Sequence, residues 1–128
     1  MPQYLLDTDS VKYVFQAHPI MKRRIVSMRV GTMAISAITY GLLMQELDVS
    51  QGDTKKQLHR QIDGFLARVE VLAWDQAAAD IYSKMAEVKL SWVQKLVASH
   101  ALSLGAVLVT DDKLFKKVRN LRIENWII

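Results

Sequence analysis

The strongest constraint on how this chain can fold is a pair of short apolar runs that each end on carboxylates. Tyr4, Leu5 and Leu6 lead into Asp7, and Ala106 to Val109 lead through Thr110 into Asp111 and Asp112. A run of this length that is apolar on both faces suits a strand buried inside a parallel sheet, because alternation with polar residues is expected only where one face meets water. A parallel pair cannot be joined by a tight turn and needs a crossover, usually helical. The two runs therefore predict an α/β chain with acidic side chains at the carboxyl ends of its strands.

The stretch between the runs supplies the crossovers. Thr8, Asp9 and Ser10 offer helix caps before Val11–Gln16, and a second short helix is expected over Ile20–Met28, the two being parted by His18 and Pro19. Gly31 ends that stretch and Thr32–Ile35 is the next strand candidate. Ser36 or Thr39 can cap a helix carrying Tyr40, Leu43, Met44 and Leu47. After the turn at Gln51, Gly52 and Asp53, the residues Leu58, Ile62, Phe65, Leu66 and Val69 recur at helical spacing. A third strand is expected at Glu70–Trp74, then a helix capped by Asp75 with Ala78, Ile81, Tyr82, Met85 and Val88 as its apolar stripe. The following helix carries Val93, Leu96, Val97, His100, Ala101 and Leu104, and Gly105 stands where a left-handed residue closes a helix. Asp111 and Asp112 open a short basic helix, and a last strand is expected at Leu121–Ile123. Strands alternating with helices imply a central, mostly parallel sheet flanked by helices in three layers, with chemistry beyond the carboxyl ends of the strands where strand order reverses.

Composition narrows the chemistry. At 128 residues, 51% hydrophobic and 23% charged, the chain is expected to form one globular domain over residues 1–128. It has no apolar run long enough for a membrane span and no signal-like start, so a cytoplasmic protein without membrane attachment is expected. The absence of cysteine removes disulfides, thiolate catalysis and thiolate-held zinc, leaving hard cations on oxygen ligands. A formal net charge of +4 includes the groups Lys22, Arg23, Arg24; Lys55, Lys56, Arg60; and Lys113, Lys116, Lys117, Arg119. Such an excess is compatible with a polyanionic partner and equally with an ordinary solvated surface.

Carboxylates gathered at one cleft repel one another, and a divalent cation relieves that repulsion while activating water for phosphodiester attack. Helix capping alone would explain Asp9 and Asp112, but an ionised Asp7 at the mouth of a buried strand requires a partner. The segments YLLDTDS (4–10), ISAITYG (35–41), LVASHALSLGAVLVTDD (96–112) and LRIENW (121–126) resemble, in the same order, the motifs of PIN-domain toxin ribonucleases of the VapC type. The resemblance runs the length of the chain and is most specific in its C-terminal third. It implies a PIN-like fold and a small magnesium- or manganese-dependent endoribonuclease, usually a homodimer, acting on RNA and held inactive by a cognate antitoxin protein. Carried over position by position, Asp7 matches the first acid, Thr110 the neighbouring hydroxyl, and Asp112 the last acid, which makes these three the catalytic candidates. Asp7 and Asp112 are the expected metal ligands, with Asp9 and Asp111 available to complete a rearranged site.

The middle of the site departs from the family. Where the pattern places a glutamate after the strand-to-helix segment, this chain has Gly41 and then Leu42; where it places an aspartate at the start of the late helix, it has Gln94. The loop Lys89–Trp92 is also shorter than usual. Glu46 lies one turn beyond Leu42, but four residues of rise displace it by about 6 Å, too far to replace a ligand of an unchanged site. Cleavage is therefore expected to be impaired, and the competing expectation is a non-catalytic PIN domain that still binds an antitoxin or RNA. A phosphoacceptor receiver domain, also doubly wound, would use Asp75 as acceptor but would leave Asp111 and Asp112 without a role. Among the remaining residues, His100 on an apolar stripe reads as a hydrogen-bonded core histidine, no histidine and serine form a triad, and Trp74, Trp92 and Trp126 read as core or interface anchors.

Overall fold

The computed structural model describes residues 2–128. Its strands are β1 (Tyr4–Leu6), β2 (Met33–Ser36), β3 (Glu70–Leu72), β4 (Val107–Val109) and β5 (Ile123–Glu124). Its helices are α1 (Thr8–Phe15), α2 (Pro19–Ser27), α3 (Ala37–Val49), α4 (Gly52–Leu66), α5 (Gln76–Tyr82) and α6 (Trp92–Leu104). The strands form one sheet in the order β3-β2-β1-β4-β5. Every pairing among the described residues is parallel, so the expected sheet is present with no antiparallel member among them.

The period-two alternation of short buried strands divides the core between the two faces. Leu6, Met33, Ile35 and Val109 join Val11, Met21, Ile25, Leu43, Ile62 and Phe65 on one side. Leu5, Ala34 and Leu108 join Val97, Ala98, Ala101 and Phe115 on the other. Alanines at 34, 98 and 101 have no side chain beyond Cβ and are fully buried, which lets α6 lie close against the sheet. The result is the three-layer arrangement implied by the strand-and-helix alternation.

The boundaries shift where tertiary packing overrides local pattern. α1 begins directly off β1, and its cap is Asp7, which holds extended backbone (φ −76°, ψ 172°) and accepts from the Ser10 amide. Asp9, expected as a cap, instead occupies the exposed first turn. Ser36, and not Thr39, caps α3. α5 stops at Tyr82 because the chain turns into bonds spanning three residues, Met85 to Tyr82 and Val88 to Met85, so Met85 and Val88 reach their core cluster from turns. The basic helix after Asp112 is a single 3₁₀ segment, Lys113–Lys117. β5 starts at Ile123 because a turn bond from Leu121 to Val118 and the left-handed Asn120 (φ 68°) occupy the preceding residues.

Candidate active site at the strand-order reversal

β1 is followed in space by β2 on one side and by β4 on the other, so strand order reverses at β1. Successive crossovers leave this point in opposite directions, and the splayed helices open a crevice at the carboxyl ends of β1 and β4. The register fixes what faces it. Leu6 lies opposite Val109, and the Asp7 amide donates to the Val109 carbonyl at 3.1 Å. That pairing sets Asp7 beside Thr110, the first residues past the two strands. The crevice is a cleft of about 370 Å³ lined by Asp7, Thr8, Asp9, Leu42, Gln94 and Asp112, together with Ser91, Val93, Val97 and Phe115.

Asp7 is 7% exposed. Burial raises its carboxyl above the ordinary carboxylate value; hydrogen bonding from Thr110 and Ser10 opposes that rise, and the charge of Asp9 reinforces it. One oxygen is committed to the Ser10 amide at 2.8 Å. Thr110 is itself buried, and its hydroxyl accepts from the Asp112 amide at 3.0 Å, bending the chain so that Asp112 reaches the cleft. Asp112 caps the 3₁₀ segment through the Leu114 amide at 2.9 Å.

Both positions where family acids were missing belong to this cleft. Leu42 contributes an apolar wall. Gln94 sits at the third residue of α6, where its carbonyl oxygen accepts from the Ser91 amide at 2.9 Å and its amide nitrogen donates to Asp112 Oδ2 at 2.7 Å. The side chain thus completes a capping box with Ser91 and ties α6 to the last acid. Motif comparison marked this position as a lost acid; its added role as a tether is legible only once α6 and Asp112 are side by side. Asp111 does not line the cleft, and its Oδ2 accepts from the Tyr13 hydroxyl at 2.6 Å. That bond, then burial and the negative charges of Asp111, Asp9 and Asp7, hold the Tyr13 phenol above its ordinary value. Glu46 faces a neighbouring depression and pairs with Lys12 at 3.7 Å.

The donor set can be tested against the divalent cation that the resemblance implies. Asp7, Asp9 and Asp112 present hard oxygens to one cleft, the ligand type magnesium and manganese favour. Among the described residues no three carboxylate or imidazole groups close around a point as a ready metal cage. The set therefore suits a cation that keeps several of its waters and takes one or two carboxylates, a mode natural to magnesium.

A parallel sheet whose strand order reverses at an acidic cleft defines the chain as a doubly wound α/β protein with its candidate site at the switch point. The PIN-domain family pattern matches residues 4–121, and the chain belongs to that family. Among curated proteins it is 32% identical to Ribonuclease VapC2 of Rickettsia felis, covering 96% of this chain and 97% of that protein. It is 28% identical to the tRNA(fMet)-specific endonuclease VapC of Shigella flexneri, covering 98% and 99%. Among solved structures it superposes on a chain of the promoter-DNA-bound VapBC2 complex of Rickettsia felis with a TM-score of 0.87 at 29% identity, covering 96% of this chain and 98% of that one. For the DNA-bound VapBC complex of Salmonella typhimurium the TM-score is 0.88 at 28% identity, covering 98% and 99%.

Proposed function

We propose that the protein is a VapC-like toxin, a metal-dependent endoribonuclease whose acidic site is depleted. The observation that carries this reading is the placement of Asp7, Thr110 and Asp112 at the reversal of strand order in a chain whose full-length relatives are VapC ribonucleases. Asp7 and Asp112, with Asp9 at the edge, would hold magnesium or manganese; Asp111 would add negative charge behind Tyr13. The bound ion would supply charge neutralisation at the phosphodiester and a more acidic water. The chain's own residues do the rest. Thr110 orients Asp7 and Asp112, and their carboxylate oxygens would position waters in the cleft. Leu42 and Val97 give the cleft an apolar wall.

The neighbours are solved as VapBC complexes bound to DNA; by the family resemblance, this toxin would be restrained by an antitoxin protein and would assemble as a homodimer. Among the described residues no helix is long and apolar enough to cross a membrane. The deciding experiment is cleavage of a fluorogenic RNA with magnesium, manganese or EDTA, comparing wild type with Asp7→Asn. Metal-dependent cleavage lost in the variant supports the enzyme. The bond from Gln94 to Asp112 favours a second reading, a PIN domain that binds antitoxin or RNA without cutting, because an amide donor there satisfies a carboxylate that an ion would otherwise engage. Equal and metal-independent background rates for both forms would establish that second reading.

A further inference from the structure

Trp92 is 68% exposed, whereas Trp126 is 1% exposed and Trp74 donates its indole N–H to the Leu96 carbonyl at 2.9 Å. Core or interface anchoring is the sequence expectation for all three, and Trp126 and Trp74 are held in the fold while Trp92 is not. Trp92 is the first residue of α6, directly between Ser91 and Val93, both of which line the acidic cleft. Its indole is a large apolar plane left in water, next in the chain to two cleft-lining residues, and an aromatic of this size is normally covered. The bond from Gln94 to Asp112 joins the first turn of α6 to the 3₁₀ segment, so that Trp92 and the half-exposed Leu114 stand two residues to either side of it.

The sequence flanking this part of the cleft is basic, although the cleft itself is acidic. Residues 88–119 hold six basic side chains against Asp111 and Asp112, while Asp7 and Asp9 reach the cleft from the start of α1. Lys113, Lys116 and Lys117 are exposed on the 3₁₀ segment, and the Lys117 ammonium reaches the Lys89 carbonyl at 3.4 Å, joining the second basic segment to the first. A flat exposed aromatic beside exposed lysines, continuous with a carboxylate cleft, has the composition of a single-stranded nucleic-acid track, in which lysines follow phosphates and the ring stacks a base.

We infer that Trp92 is a base-stacking platform for single-stranded RNA, holding an unpaired nucleobase at the mouth of the Asp7–Asp112 cleft while Lys89, Lys113 and Lys117 contact the adjoining phosphates. The inference rests on the proposed RNA substrate but requires only binding. It assigns substrate positioning to a residue outside the acidic set.

The test is anisotropy titration of a fluorescein-labelled, mixed-sequence twelve-nucleotide RNA in EDTA, so that no cleavage occurs, using wild type, Trp92→Phe and Trp92→Ala. Trp92→Ala should weaken binding about tenfold, and Trp92→Phe, which keeps a π-face, by much less. Tryptophan emission should be quenched by RNA in wild type and markedly less in the variants. Lys117→Gln should weaken binding and flatten its salt dependence. Equal affinity for wild type and Trp92→Ala with folding intact overturns the inference and leaves ribonuclease activity standing. Binding that depends on Trp92 without any metal-dependent cleavage supports the inference and removes the enzyme reading. Failure of wild type to bind RNA at all sinks both. Sedimentation of wild type and Trp92→Ala separates the remaining case, since dissociation of a dimer in the variant would make Trp92 a subunit contact and overturn its role as a platform.

Discussion

Asp7 serves two demands that pull its protonation state in opposite directions. It caps α1, which favours an acceptor oxygen, and it sits buried beside Asp9, which disfavours charge. Its folded-state pKa is raised above the unfolded value, so its contribution to stability is fully present below the ordinary carboxylate value and is lost as pH rises through the folded value. In EDTA at pH 7, Asp7→Asn keeps the cap, removes the buried charge, and should be more stable than wild type. Asp7→Ala loses the cap and should fall below Asp7→Asn by about 1 kcal/mol. Urea denaturation at pH 7 and pH 4 measures this, and the advantage of Asp7→Asn should shrink in acid. An Asn variant no more stable than wild type at pH 7 would show that the buried charge is already compensated. At the other missing positions, Leu42→Glu with Gln94→Asp places two acids on the same cleft and should strengthen manganese binding by about tenfold or more, since affinity follows ligand charge. Isothermal titration checks the affinity and a fluorogenic RNA checks turnover, which should rise with it. Unchanged values for a folded double variant would mean that these side chains do not reach the ion.

At the scale of elements, α6 is the piece on which the site depends. It is closed at its start by the reciprocal Ser91–Gln94 capping box and at its end by Gly105 in the left-handed region (φ 63°). Its middle is fastened by His100, 1% exposed, whose Nδ1 lies 2.8 Å from the Ser36 hydroxyl at the end of β2. Burial lowers the proton affinity of this imidazole, with the charge of Asp75 and the Ala73 carbonyl opposing. A depressed folded-state pKa means stability that is present above the ordinary histidine value of about 6.5 and is lost as pH falls below it. Wild type should therefore lose stability between about pH 6.5 and 5 more steeply than His100→Gln, as read from urea midpoints at half-unit pH steps. Parallel pH curves would assign the acid sensitivity to other groups.

Across the whole molecule, the segment after β5 folds back from the edge strand over one face of the sheet to β1. Trp126 is 1% exposed, packs edge-to-face on Tyr4 with centroids 5.1 Å apart, and bonds Glu124 through its indole N–H at 3.0 Å. It thereby couples the last strand to the first, the strand that carries Asp7. Trp126→Ala should cost about 3–5 kcal/mol, a large part of the stability of a domain this size. Thermal unfolding followed by circular dichroism would register a drop of many degrees. A drop of only a degree or two would mean that the segment after β5 packs on an already stable sheet.

Much of this molecule was legible from residue order. Short runs such as YLL and AVLV are apolar on both faces, and that alone demands a parallel sheet with helical crossovers; Gly105, Pro19 and the Asp75 cap mark helix ends by chemistry that acts within a few residues. Asp7 and the Asp111–Asp112 pair stood out because carboxylates at the ends of buried strands are costly, whereas Thr110 and the separate roles of Asp7 and Asp112 came only from the resemblance to VapC-type toxins. What pattern could not supply was anything set by contacts between distant segments. Asp7 became the cap of α1 because β1 runs straight into the helix. Asp111 was taken up by Tyr13, 98 residues away in sequence. Gln94, legible only as a substitution, became a bridge between a helix start and the last acid, and Trp92, ordinary in composition, proved to be uncovered. Local periodicity encodes which face of an element is buried; which side chains meet across the cleft, and which are left in water, is decided only when the sheet assembles.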